Sequence, residues 1–127
     1  MLARFLVSAF VLCALAGCAV ETFGYAMSQY GDVRGVRVRL GCRDTYEVFD
    51  RTDRRSLVVV TNPLNEALAG ACTDGAPLPR PDRMRRIAEI FLTETTARPQ
   101  CVLGPERPLT EFHAEYEYRC PEPRPRR

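Results

Sequence analysis

The sequence has 127 residues, of which 18 are basic and 16 are acidic, so its formal net charge at pH 7 is +2. All of the basic residues are arginine and they form no clustered stripe, which argues against nucleic acid as a partner. The absence of lysine excludes Schiff-base and lysine-activated mechanisms. The length suits one small domain.

The N-terminal segment has the layout of an export signal. Arg4 gives it a positive start, and residues 5–14 form an almost unbroken apolar run that extends to Gly17. As a helix this run would span roughly 20 Å, which is short of the ~30 Å hydrocarbon thickness of a membrane. The pattern therefore predicts a cleaved signal and not a permanent transmembrane helix.

The apolar run ends in Leu15-Ala16-Gly17-Cys18, an aliphatic residue and two small residues before a cysteine. All four positions match, and the segment resembles the lipobox of bacterial lipoproteins. The resemblance implies cleavage between Gly17 and Cys18, a diacylglyceryl group on the Cys18 thiol, and a fatty acid such as palmitate on the new amine. An ordinary secretory signal is the alternative, because residues 14–16 also fit the small-x-small cleavage rule.

The lipobox resemblance also implies an address. Two long acyl chains on Cys18 give roughly 20 kcal/mol of gross membrane affinity at ~0.8 kcal/mol per methylene, so the membrane is the first expected partner. In Gram-negative lipoproteins of this kind, aspartate after the lipidated cysteine favours retention in the inner membrane. Here that position is Ala19. The expected location is thus the cell envelope, at the outer membrane facing the periplasm if the source is Gram-negative.

The chain after the signal begins with a tether and continues with strand patterns. Residues 18–34 have mixed polarity and no sustained period, so a tether is expected there. In residues 35–40 apolar side chains alternate with arginines, which is typical of a half-buried strand. Residues 45–50 are a second candidate strand. Residues 57–60 are continuously apolar and predict a central strand that is covered on both faces, with a polar turn at 51–55.

Two helices are predicted next. Asn62 is a good helix cap and Pro63 suits the first helical position, so residues 63–72 read as a short helix. A stronger helix begins at residue 81, with Met84, Ile87, Ala88 and Phe91 on one face and with ion pairs Asp82–Arg86 and Glu94–Arg98 on its surface. It should end before Pro99.

The last strands complete the predicted fold. A short strand at 101–103, a turn at 104–108 and a long strand at 109–120 follow the second helix, and apolar and polar residues alternate clearly in the long strand. The element order predicts an α+β fold: a small antiparallel sheet of four or five strands with two helices packed on one face. We expect a single domain at 35–120 and a disordered tail, rich in proline and arginine, at 121–127.

Cysteine usage is consistent with export. Cys13 is lost with the signal and Cys18 is used for lipid, which leaves an even set suited to two disulfides. The remaining set is Cys42, Cys72, Cys101 and Cys120. Pairing of neighbours in sequence is the simplest guess, but a turn at 104–108 would place Cys101 opposite about Glu111. The pairing therefore stays open.

Residues that could carry chemistry are few. The single histidine, His113, is expected on a solvated strand face beside Glu111 and Glu115, where metal binding is not favoured. Ser28 lies in the tether and Ser56 at a hairpin edge, so a catalytic triad has no evident members. The glycines match no phosphate-binding loop. We expect no catalytic residue, no metal and no cofactor.

Two other charged features have structural or surface interpretations. The acidic face of the last strand is expected to pair across the sheet with Arg37 and Arg39. The proline-arginine tail could contact anionic lipid head groups or cell-wall polymer, although a solvated tail explains its composition more simply.

Three functions are compatible with these expectations. The first is a non-catalytic binding or structural module whose partner is an envelope protein or a cell-wall polymer. The second is a small inhibitor of an external hydrolase that acts through the tip at residues 51–55, and the third is an enzyme. An exposed apolar patch would favour the first, a protruding rigid loop the second, and a deep pocket around His113 the third.

Overall fold

A computed structural model of the protein describes residues 24–41, 45–69 and 78–122. The chain divides into two units, Met1–Asp32 and Val33–Arg127. In the first unit, residues 24–30 form a short helix, α1. In the second unit, the described residues form an antiparallel sheet with helices, which confirms the predicted α+β class.

Within the described residues, five strands form the sheet, in the spatial order β1-β2-β3-β5-β4, and every neighbouring pair is antiparallel. The strands are β1 Val36–Arg39, β2 Thr45–Arg51, β3 Ser56–Val60, β4 Val102–Thr110 and β5 His113–Arg119. The helices are α2 Pro63–Leu68 and α3 Arg80–Ile90, and α3 continues into a π-helical turn at Phe91–Thr95. The continuous apolar run therefore forms the central strand, β3, as predicted.

The core lies between α3 and one face of the sheet. Side chains at alternating strand positions and at helical spacing fill it, which is the arrangement that the two sequence periods predict. Its members are Val38, Tyr46, Val48, Leu57, Val59, Leu103, Ala114, Tyr116 and Tyr118 from the sheet, Met84, Ile87, Ala88, Phe91 and Leu92 from α3 and its π-helical turn, and Cys101. The predicted apolar face of the second helix is thus the face that packs on the sheet.

The helix starts follow local chemistry. The Asn62 side chain accepts a hydrogen bond of 2.8 Å from Asn65 N, and Pro63 occupies the first position of α2. The described part of this helix ends at Leu68, and the rest of the predicted range beyond Ala69 lies outside the described residues. Beyond the π-helical turn that follows α3, Arg98 N donates a hydrogen bond of 2.7 Å to Leu92 O.

The predicted turn at residues 104–108 is wrong. β4 continues to Thr110, and the chain reverses at residues 111–112. Gly104 and Pro108 lie instead at two irregularities in the β4–β5 register. β4 is an edge strand, so its prolines leave no central ladder bond unmade. A Gly-Pro pair that is typical of a turn is here a strand bulge.

The later turn decides which cysteines meet. Because the reversal is at residues 111–112, Cys101 before β4 lies next to Cys120 after β5, and the two are joined by a disulfide with a Cα–Cα distance of 4.1 Å. This bond fixes the end of the β4–β5 pair that lies opposite the turn. Cys42 and Cys72 lie outside the described residues.

The sheet order also overturns an expected charge pairing. Arg37 and Arg39 are on the edge strand β1, and β2 and β3 separate them from the acidic residues of β5. Arg37 lies opposite Glu47 of β2 instead. Charged side chains on a short edge strand commonly protect it against pairing with another chain.

Candidate functional site

The predicted lipidation site lies outside the described residues. This holds for Gly17 and Cys18 alike, so the candidate sites in the folded part of the chain are built from other side chains. In the ranges that the structure does describe, no helix is both long and apolar enough to cross a membrane. The same ranges contain no group of three or more histidine, cysteine or acidic side chains that could hold a metal ion.

His113 is half-buried at the start of β5, and its ring is held locally. Nδ1 lies 2.7 Å from the hydroxyl of Thr110, which also accepts a hydrogen bond from Phe112 N. Burial lowers the pKa of His113, and the nearby Arg80 guanidinium lowers it further, because both disfavour the imidazolium form. The strand face at His113 is therefore less solvated than the sequence predicted.

Ser56 does not approach this histidine along the sheet. Val60 is the cross-strand partner of His113, and Ser56 begins the same strand four residues earlier, roughly 13 Å away at strand spacing. Ser28 belongs to the first unit, where its hydroxyl donates to Tyr25 O at 2.9 Å. The sheet therefore does not bring Ser56 and His113 together as a nucleophile and its base.

Glu115 is not on a solvated face, contrary to expectation. It lies in the middle of β5 opposite Val58 and is only 6% exposed, and its carboxylate is 3.2 Å from Arg107 Nη1. Glu117, two residues on, is exposed as expected. Alternation along β5 puts Glu115 on the face opposite Ala114 and Tyr116, as predicted, but Glu115 is buried there and not solvated.

A network of three side chains joins distant parts of the chain at one end of the sheet. Asp50 accepts hydrogen bonds from Arg98 Nη2 at 2.5 Å and from the Tyr118 hydroxyl at 2.8 Å. Arg98 also donates to the Tyr118 oxygen at 2.8 Å and to Thr96. Burial raises the pKa of Tyr118, and its hydrogen bond to Asp50 raises it further. The predicted Arg98–Glu94 pair is wrong, because Arg98 lies beyond the helix and turns to Asp50.

A second network joins α2 to the sheet and to α3. Asn65 is buried, accepts from Thr45 N at 2.8 Å and donates to the Thr61 hydroxyl at 2.9 Å. The Thr61 hydroxyl donates to one carboxylate oxygen of Glu66, and Arg83 Nη2 donates to the other. Arg83 is 9% exposed. Each of these bonds satisfies a buried polar group. Arg83 Nε is buried as well, and it has no hydrogen-bond partner among the described residues.

Two further arginines attach α3 to β4. Arg80 donates to Thr110 O, Glu111 O and the Glu106 carboxylate, and Arg85 donates to Gly104 O at 2.9 Å and to Leu103 O. These bonds use the fork of donors that arginine has and lysine lacks. They assign both arginines a structural role.

Near these arginines lies the buried hydroxyl of Tyr116. It has no hydrogen-bond partner in the parts of the chain that the structure describes. Burial raises the pKa of Tyr116, and the charge of Glu106 raises it further. The hydroxyl is therefore held in its neutral form and does not supply a base near neutral pH.

The β2–β3 hairpin tip is an exposed loop that is held by hydrogen bonds within itself. Residues 52–55 are exposed. Arg51 donates from Nε and Nη2 to the two carboxylate oxygens of Asp53, at 3.2 and 3.3 Å, and Arg54 N donates to Arg51 O. Asp53 has a lowered pKa because of that side-chain bond. The tip is a protruding loop with its own fixed geometry, and we take it as the candidate binding site.

Sequence reasoning named this tip but missed its neighbours. Arg55 O accepts from Tyr118 N at 2.9 Å, so the end of β5 lies beside the tip. That proximity requires the β3–β5 pairing, which no local pattern in the sequence specifies. Because the turn was predicted at 104–108, the pairing of Val102 with Arg119 was not predicted either.

Comparison of this chain with protein-family models, with curated proteins and with solved structures returns no match in any of the three.

Proposed function

We propose that the protein is a bacterial envelope lipoprotein, anchored to the membrane through Cys18, whose folded domain is a non-catalytic binding module. The proposed lipid anchor rests on one observation: the sequence Leu15-Ala16-Gly17-Cys18 follows an apolar run too short to span a bilayer. The even number of cysteines that remains, and the disulfide between two of them, support an oxidising compartment.

The placement of the reactive side chains supports a binding role over catalysis. Ser56 lies at the start of β3, and His113 lies opposite the other end of that strand. Glu115 is paired with Arg107. In the Asp50 network and in the Glu66 network, the ionisable side chains form hydrogen bonds with partners of the same network. Their arrangement fits side chains that stabilise a scaffold for an exposed site.

Metabolic labelling tests the anchor. Cells fed an alkyne palmitate should label the wild-type protein, and Cys18→Ser should abolish both the label and retention in the membrane fraction. Cys13→Ser is the matched control, because it changes a cysteine of the same apolar segment without touching the modified thiol. An unlabelled wild type, or a labelled Cys18→Ser variant, would show that the anchor is not there.

Membrane location is tested separately. We propose the outer membrane, facing the periplasm, if the source is Gram-negative, since Ala19 follows the modified cysteine. Density-gradient fractionation should then place the protein with outer-membrane markers, and Ala19→Asp should move it to the inner membrane. Wild-type protein in the inner-membrane fraction would reject this location while leaving the anchor intact.

Inhibition of an external hydrolase is the second candidate, and the braced hairpin tip favours it. A rigid loop enters a concave partner with little loss of conformational freedom. The protein would be added in equimolar amount to a panel of muramidases, proteases and lipases. Inhibition by the wild type that is lost with Asp53→Ala, and kept with Arg37→Ala on the edge strand, would establish this function. Full hydrolase activity throughout the panel would count against it.

A further inference from the structure

The end of the sheet at the β2–β3 tip gathers arginines from separate parts of the chain. Arg54 and Arg55 are exposed in the tip, and Arg119 is exposed at the end of β5. The bond between Arg55 O and Tyr118 N, at 2.9 Å, brings Arg119 next to them. We call these three residues the basic end of the sheet.

The basic end carries more positive than negative charge. Besides its three arginines, the same end holds Arg51 and two carboxylates. These are Asp53, which interacts with both Arg51 and Arg54, and Glu117. Like charges at one end of a domain favour an anionic partner.

The backbone gives a second, independent observation. Arg55 has φ of 53°, in the left-handed region that favours glycine and asparagine. A hairpin loop with this conformation at its last position would form more easily with glycine there. An arginine held in strained backbone on an exposed tip indicates that the guanidinium has a use.

An exposed apolar side chain lies beside the basic end. Val102 is 65% exposed and is the cross-strand partner of Arg119. A free polyanion would gain nothing from this valine, whereas a lipid surface offers phosphate to the arginines and acyl chains to the valine. Guanidinium groups bind phosphate through paired hydrogen bonds.

We infer that the basic end of the sheet is a contact surface for anionic phospholipid head groups, with Val102 reaching the boundary of the acyl region. The inference rests on the proposed binding role of the domain and names its partner. It does not depend on acylation of Cys18. Labelling of Cys18 can therefore succeed or fail independently of vesicle binding by the basic end.

The test uses the full-length chain with its disulfide formed, and vesicles of phosphatidylcholine with or without phosphatidylglycerol. The measured quantity is the ratio of the two partition coefficients, in which binding by the apolar N-terminal segment cancels. We expect Arg54→Gln, Arg55→Gln and Arg119→Gln together to lower this ratio by roughly 100-fold, at about fivefold per arginine. The same three changes at Arg34, Arg37 and Arg39 remove equal charge from exposed positions elsewhere and should leave most of the ratio intact.

Two single variants make the test specific. Arg55→Gly relieves the backbone strain, so it should fold at least as well as the wild type while lowering the ratio about fivefold. Val102→Ser should lower binding to vesicles roughly three- to tenfold and leave binding to immobilised heparin unchanged. Equal losses from the two triple variants would overturn the inference, because net charge alone would then explain binding. Tight heparin binding with no effect of Val102→Ser would also overturn it, in favour of a soluble polyanion.

Discussion

Arg98 and Asp50 are 48 residues apart in sequence, yet Nη2 of the first lies 2.5 Å from Oδ2 of the second. Tyr118 donates to the other oxygen of the same carboxylate, and the Arg98 guanidinium also lies over the Tyr118 ring at 5.1 Å from its centroid. The carboxylate therefore joins β2, β5 and the segment after the π-helical turn.

Replacing Asp50 should weaken the fold more than any exposed acidic residue does. Asp50→Asn leaves the guanidinium of Arg98, which is 24% exposed, without its counter-charge, and we expect a loss of about 2–3 kcal/mol in the free energy of unfolding. Denaturant titration measures it. Glu94→Gln is the control and should change stability by less than about 0.5 kcal/mol. Equal effects of the two variants would contradict the assigned pairing.

The disulfide should contribute measurably to stability. Cys101→Ala with Cys120→Ala removes a covalent loop with a sequence separation of 19 residues, which corresponds to about 3 kcal/mol of unfolding free energy. Digestion of the oxidised protein without reduction should release one peptide pair that links these two cysteines. A mass spectrum with Cys101 linked to any other cysteine would contradict the structure.

The single histidine gives a clear pH dependence. Because burial and Arg80 lower the pKa of His113 in the folded protein, the unfolded chain takes up a proton first as the pH falls. Stability should therefore decrease as the pH drops through the ordinary histidine value of about 6.5, until the folded form is protonated too. NMR titration of the ring should show a midpoint below that value. His113→Gln should reduce the slope of stability against pH in this window, and an unchanged slope would assign the effect to other groups.

Among the described residues, two that are not glycine have left-handed backbone, and both should accept glycine with a gain in stability. They are Arg55, with φ of 53°, and Ala97, with φ of 52°. Glycine removes the contact of Cβ with the backbone but loses more freedom on folding, so the net gain should be about 0.5–1 kcal/mol. Arg54→Gly, at a residue outside this region, should give no gain. Thermal unfolding of the three variants distinguishes backbone strain from a general effect of glycine in the loop.

Local patterns predicted those parts of the fold that depend on local physics. The alternation of Ala114, Tyr116 and Tyr118 placed three core residues correctly, because a strand with one buried face has no other way to bury them. The cap at Asn62 predicted the start of α2, because a capping side chain bonds to a backbone N–H only three residues away. These features need no knowledge of the sheet order.

Features that depend on which strands are neighbours could not be predicted. The turn was misplaced because Gly104 and Pro105 are typical turn residues, and only the edge position of β4 lets them form a bulge. The burial of Glu115 and the partner of Arg98 depend on long-range pairing. The hairpin tip was identified from its polar sequence, but its extension to Arg119 needed the β3–β5 pairing.

The covalent link between Cys101 and Cys120 also bears on how the protein folds. An oxidised chain that unfolds still holds residues 101–120 as a closed ring, so β4 and β5 search a much smaller space for their register than a linear chain does. β5 is the strand on which the central strand β3 docks. Refolding in an oxidising compartment can therefore begin from the ring and grow outward across the sheet, and the lower sequence separation of its first contacts favours a fast start.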